Sequence, residues 1–213
     1  MANPRTAFLD AASTARVVLA HEAVAARWDD ESVLAEFSVR GLAGHLARVA
    51  FGTLRYVEAD EPRDADPIPP GDYYTRVVPQ PADITDPVNV DARERGEEAA
   101  AAGHAELLAA FDRDRSRLEA ILAVEPPSRL VRVFGDLVMK LDDYLETRIV
   151  EAVVHTEDLA LSLGIDPPHP PEDALDIAIG HLVGVARRKH GGAAVLRALA
   201  RRERDEVNAL RVL

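Results

Sequence analysis

Cysteine is absent from all 213 residues. That excludes disulfides, thiolate metal sites, iron–sulfur clusters and a thiol nucleophile carried by the chain itself. Any metal must be held by His, Asp and Glu, and any thiol chemistry must use a thiol from outside. Aromatic residues are scarce at 5%, whereas hydrophobic residues make up 47%. A core rich in Ala and Leu with few rings suits close-packed helices better than sheet sandwiches. No apolar run approaches the roughly 18 residues that span a bilayer. Residues Met1-Ala2-Asn3-Pro4-Arg5 lack the charged-then-apolar layout of a secretory signal. A cytoplasmic protein with no membrane partner is therefore the expectation. Positive charge is also short, since 25 Lys and Arg against 37 Asp and Glu leave a net charge of −12. Such a chain repels a polyanion, and no basic stripe interleaved with aromatics offsets this, so no nucleic-acid partner is expected. There is no P-loop, no Rossmann glycine pattern, no Gly-x-Ser-x-Gly and no His-Glu-x-x-His.

What is present is a series of helical patterns separated by proline. Seven of the 14 prolines fall between Pro62 and Pro87, so residues 61–87 read as a long irregular loop. Tyr73 and Tyr74 within it read as ordinary loop packing, with cover over a pocket as the alternative. The first helix is expected over 6–27, with Phe8, Ala12, Ala15, Leu19 and Ala23 on one side. A second starts at the N-cap Ser38 and carries Leu42, His45, Leu46, Val49 and Leu54. A third runs over 91–124 and a fourth over 136–163, with shorter ones near 172–190 and 193–203. Residues 129–134 could instead form a short extended piece, and 208–213 a strand or a frayed tail. The sum is an all-α chain: a four-helix bundle over residues 1–164, with 165–213 as a short C-terminal helical extension packed on it.

The fourth helix is the most informative. At roughly 100° per residue, Leu145, Ala152, Leu159 and Leu163 fall within roughly 40° of Leu141. Asp142, Glu146 and Glu157 form a charged solvent face, and Val150, Val154 and Leu161 form a second apolar sector. Between the apolar sectors lies a polar stripe of Tyr144, Thr147, Arg148, Glu151, His155, Asp158 and Ser162. A polar stripe flanked by apolar residues on both sides points inward or into a cleft, where polar groups must be satisfied. Glu151 and His155, four residues apart, project from neighbouring points on that stripe. Both are normal zinc donors, and His45 on the second helix is the natural third. Gly41 and Gly44 beside it are costly inside a helix unless something approaches the backbone there. The alternative is a helix-surface Glu–His pair with His45 as a satisfied core histidine. Asp158 could orient His155 or simply be solvated. Arg148 could neutralise Glu151, bind an anionic substrate or hold helices together. His21, His104, His169, His181 and His190 read as surface or interhelix residues.

The segment Phe37-Ser38-Val39-Arg40-Gly41-Leu42-Ala43-Gly44-His45-Leu46 resembles an opening motif of the mycothiol-dependent maleylpyruvate isomerase family, in the DinB/YfiT-like superfamily. The segment from Tyr144 through Arg148, Glu151, His155 and Asp158 to Ala160 resembles that family's second signature. The resemblance spans about the first 165 residues in layout. It implies a DinB-like four-helix bundle and a divalent metal, most often zinc, on His45, Glu151 and His155. Phe37 stands where the family usually has Trp, Gly41 where it has Asp, and Glu157 where Trp is frequent. None of these is a ligand position, so the departures bear on the substrate pocket.

Three functions follow as expectations. The first is an enzyme in which the metal activates an external thiol, mycothiol by resemblance, to attack an electrophilic small-molecule substrate as a transferase or isomerase. There Arg148 and Asp158 would assist as anion-binding or orienting residues. The second is a metal-dependent hydrolase, for which Asp158 is the nearest general base. The third is a non-catalytic metal-binding or interaction protein. Either a monomer or a homodimer is compatible with all three.

Overall fold

The computed structural model describes residues 3–63, 65–77, 83–201, 203, 208–210 and 212, and the chain is mostly helical. Helix α1 (Pro4–Leu19) begins at Asn3, whose side chain accepts the Arg5 N–H, with proline in the first turn. The expected single helix over 6–27 is in fact two. His21 is extended and its ring nitrogen accepts the Ala23 N–H at 3.2 Å, capping a separate short helix α2 (Glu22–Ala26). Residues 28–38 then fold back, joined by a bridge between Glu31 and Ser38.

Helix α3 (Val39–Glu58) starts where expected. Ser38 Oγ accepts the Gly41 N–H at 2.9 Å, satisfying one of the free donors of the first turn. The proline-rich stretch is less irregular than its composition suggests, because it contains helix α4 (Pro70–Val77), with Tyr73 and Tyr74 buried. The Ile68 N–H donates to the Val138 carbonyl and fastens the approach to α4. Residues 64 and 78–82 lie outside the described residues.

The expected helix over 91–124 is also broken in two, α5 (Pro87–Ala100) and α6 (His104–Leu122), with Gly103 at φ +90° between them. The break lets α5 lie along α3 while α6 turns to meet both α1 and α3. It also resolves the two glycines beside His45. A Cβ on Gly44 would collide with the Gly96 carbonyl, and one on Gly96 would collide with the Gly41 carbonyl. The group that needs the backbone of α3 bare is α5. Side chains lock the same crossing, since Ser38 and Arg40 both donate to Glu97.

The extended alternative for 129–134 is the one the chain adopts. Strand β1 (Leu130–Val133) pairs antiparallel with β2 (Leu137–Lys140), Val131 opposite Met139, around a turn in which Gly135 and Asp136 have positive φ. Because 137–140 is committed to that hairpin, helix α7 (Leu141–Leu163) begins five residues later than its periodicity suggests. It ends at Gly164, left-handed at φ +69°.

Helix α8 (Glu172–His190) has the expected bounds and packs on α7, α1 and α4, while α9 (Gly192–Ala200) packs on α8. The expectation for 208–213 falls partly outside the described residues, although Ala209 and Val212 are buried. Phe8, Leu42, Leu46, Phe111, Leu118, Leu145 and Leu159, drawn from α1, α3, α6 and α7, are fully enclosed in one core. No described helix is long and apolar enough to cross a membrane.

Candidate metal centre

Helix α7 sits between α1 and α3, and α8 covers part of its remaining surface. Leu141, Leu145, Ala152, Leu159 and Leu163 are buried as their phase requires. Two expectations about its other faces need correction. Leu161 is half exposed, and the charged face is largely covered: Asp142 pairs with Arg5 and Glu146 accepts from His181 of α8 at 2.6 Å. Only Glu157 is left to solvent among those three acids, because α1 and α8 supply cationic or imidazole partners for the others.

The polar stripe of α7 faces inward. Tyr144, Arg148, Glu151, His155 and Asp158 line a cavity of about 680 Å³. Across from them α3 presents His45, Arg48, Val49, Gly52 and Tyr56, positions that recur on one helical face. Tyr73 and Tyr74 of α4, Arg93 and Arg95 of α5 and Phe134 of the hairpin turn complete the walls. The cavity role of the two tyrosines, weighed above as the alternative to loop packing, is the one observed.

At its centre the structure brings together His45, Glu151 and His155. One ligand atom from each lies within 4.8 Å of the other two, and this is the one such group among the described residues. Glu151 Oε2 stands 3.6 Å from His45 Nε2 and 3.4 Å from His155 Nε2. Those separations are long for hydrogen bonds, which favour 2.7–3.2 Å as a typical range. They are close to the roughly 3.3–3.5 Å that separates two donors bound about 2.0–2.2 Å from one tetrahedral ion. The two imidazoles meet edge to face with centroids 4.7 Å apart.

Surrounding groups prepare these donors. His155 Nδ1 is 3.0 Å from Asp158 Oδ2, so the carboxylate holds a proton on Nδ1 and leaves Nε2 turned toward Glu151. His45 Nδ1 is buried with no hydrogen-bond partner among the described residues. With Nε2 at 3.6 Å from its nearest acceptor, the ring has no bond of normal length on either nitrogen, a costly state unless something else engages it. Phe37 packs edge-on against the same ring at 5.8 Å. The donor set, two imidazoles and one carboxylate with an orienting acid behind, fits a divalent ion of the zinc type.

The electrostatics agree with tight coupling among these groups. Burial alone would raise the Glu151 carboxyl, but His155, His45 and Arg148 outweigh it and hold it well below the usual carboxylate range. Burial also works against a charged His155, yet Asp158 and Glu151 prevail and raise it to about 9. Burial dominates at His45 and lowers it.

Arg148 is half-buried beside this group. Its guanidinium lies 5.0 Å from the Tyr144 ring centroid and 5.5 Å from that of Tyr73, and it donates to Tyr73 Oη at 3.3 Å and Thr147 Oγ1 at 3.2 Å. No carboxylate forms an ion pair with it among the described residues. Arg48, overlooked in the sequence, is lowered by burial and by neighbouring Arg95 and Arg55, and it too has no ion pair among them. Its signal was its place three residues after His45, on the same face of α3.

His21 caps α2, His104 Nε2 bonds the Leu19 carbonyl, and His169 is exposed beside Glu172. A family model described as the mycothiol maleylpyruvate isomerase N-terminal domain matches residues 9–160, a span that includes all three candidate ligands. No curated protein and no solved structure matches the chain at a significant level.

Proposed function

The chain belongs to the mycothiol maleylpyruvate isomerase N-terminal domain family, and from that membership we propose a metal-dependent enzyme that joins an external thiol, mycothiol, to an anionic electrophile. The observation that carries this reading is the meeting of His45, Glu151 and His155 at ion-sharing distances inside a large cavity. In this reading residues 1–164 form the DinB/YfiT-like four-helix bundle and 165–213 the extension packed on it.

His45, Glu151 and His155 hold the ion, taken to be zinc from the nitrogen and oxygen donors. A divalent ion held by these three residues would supply the positive charge that lowers the pKa of a thiol beside it. The chain has no cysteine of its own, in keeping with a borrowed nucleophile. Asp158 keeps His155 in the tautomer that offers Nε2. Arg148, held between the Tyr73 and Tyr144 rings, binds the charged end of the electrophile, with Arg48 as a second cation on the facing wall. In a chain of net charge −12, a pocket lined by Arg48, Arg93 and Arg148, none with a carboxylate partner among the described residues, favours a small anion over a neutral ligand. The hydrolase alternative is weaker, because Asp158, its nearest base, is already engaged with His155.

The test is turnover of the zinc-loaded protein with mycothiol and a panel of carboxylate-bearing and neutral electrophiles, beside Glu151→Ala. Turnover that requires both thiol and metal and favours the carboxylates is expected. Equal rates for wild type and variant would defeat the mechanism, and hydrolysis without thiol would replace it with the hydrolase.

A further inference from the structure

Helix α4 is built from the part of the chain least suited to helix, yet it touches the centre of the site. Pro70 opens it, and Tyr73 and Tyr74 follow on adjacent positions with rings 5.5 Å apart and nearly perpendicular. One dipeptide thereby reaches three residues of α7 within about one turn. Arg148 donates to Tyr73 Oη, while the single Tyr74 hydroxyl proton is shared between the Thr147 carbonyl at 2.9 Å and Glu151 Oε1 at 3.4 Å. Tyr74 is 1% exposed, so no water substitutes freely for that hydroxyl. The two oxygens of Glu151 are therefore divided: Oε2 faces both imidazoles and Oε1 rests against Tyr74.

Part of the hold on α4 comes from α8. Arg188 of α8 lies so close over Gly71 that any Cβ there would collide with its guanidinium, and it pairs with Asp72 at 3.4 Å. A chain of contacts thus runs from α8 through α4 to the carboxylate.

We propose that Tyr74 is a positioning residue for the Glu151 carboxylate, kept in place by Arg188, so that α4 and α8 complete the cation site that α3 and α7 begin. This rests on the metal-binding reading above. A carboxylate free to turn would present either oxygen, or both, and the donor spacing to His45 and His155 would be lost. Partners behind a ligand typically change metal affinity by about 10–100-fold when removed. Because the Tyr74 contact to Glu151 is long, the lower end applies.

Titration of the full-length protein with Co²⁺, by competition against a chromophoric chelator and by the visible d–d spectrum, tests the proposal. Tyr74→Phe keeps the ring and removes only the hydroxyl. It should weaken Co²⁺ binding about tenfold and shift the spectrum, with helical circular dichroism retained. Arg188→Ala, acting one step further away through an exposed pair, should weaken binding about two- to threefold. Wild-type affinity and spectrum in Tyr74→Phe would overturn the proposal while leaving the metal reading intact. If Tyr74→Phe does not fold, Arg188→Ala decides in the same way. Failure of the wild type to bind Co²⁺ at all would instead remove the metal reading, and this proposal with it.

Discussion

The two walls of the cavity are built in opposite ways. The α3–α7 wall consists of long helices whose apolar residues repeat with the helical period, and it carries His45, Glu151 and His155. The α4–α5 wall has few anchors: α4 buries Tyr73 and Tyr74, and α5 buries only Gly96 and Ala100. It holds its place by a bare backbone crossing at Gly41, Gly44 and Gly96 and by a few hydrogen bonds. The difference teaches that the donors sit on helices anchored by buried apolar side chains, whereas the facing wall is sparse in such side chains and relies on close backbone contact at glycine and on hydrogen bonds.

Four measurements probe that contrast. On the rigid wall, Glu151→Ala should weaken zinc binding by more than about a hundredfold, exceeding the loss typical of an outer partner. Titration calorimetry with competing chelator would reveal it, and an unaltered affinity would place the cation elsewhere. Arg148→Gln should raise KM for a carboxylate electrophile about thirtyfold, in keeping with loss of a hydrogen bond to a charged group. Zinc affinity is the internal comparison, expected to change far less than KM. At the sparse wall, Gly44→Ala must push α5 outward and should cost about 2 kcal/mol in urea unfolding. A neutral result there would mean that α5 yields freely, which would deepen the contrast between the walls.

The fourth measurement concerns pH. His155, raised to about 9, carries a proton at neutral pH that must leave before a cation can use Nε2, whereas His45 is lowered and imposes no such requirement. Zinc affinity should therefore rise as pH increases toward 9, about tenfold per unit, and level off above it. A flat profile between pH 7 and 9 would show that His155 is not the displaced proton's site.

Much of the dense wall was legible from residue order. The phase of α7 placed Glu151, His155 and Asp158 on one stripe, and Ser38 marked the start of α3. Gly41 and Gly44 are unusual for a helix interior in the sequence itself, but the group approaching them leaves no local pattern, because Gly96 lies more than fifty positions away and has no side chain. The sparse wall was nearly invisible. Proline-rich composition argues for loop, and a helix of eight residues has too few turns to show a period. Arg48 escaped notice although its spacing from His45 marked the shared face. The hairpin at 130–140 shortened α7 at its start because strand pairing, a contact between segments, overrode local helical preference.

Residue order by itself determined which side chains share a face of α3 and of α7, since 100° per residue is a local property of a helix that needs no neighbour. Only the tertiary structure decided that those faces meet at ion-sharing distance, that α5 crosses on bare glycine, and that two tyrosines from a proline-rich stretch reach Arg148 and the Glu151 carboxylate. Those outcomes depend on where helices cross, and a crossing is set by the shapes of two distant segments together.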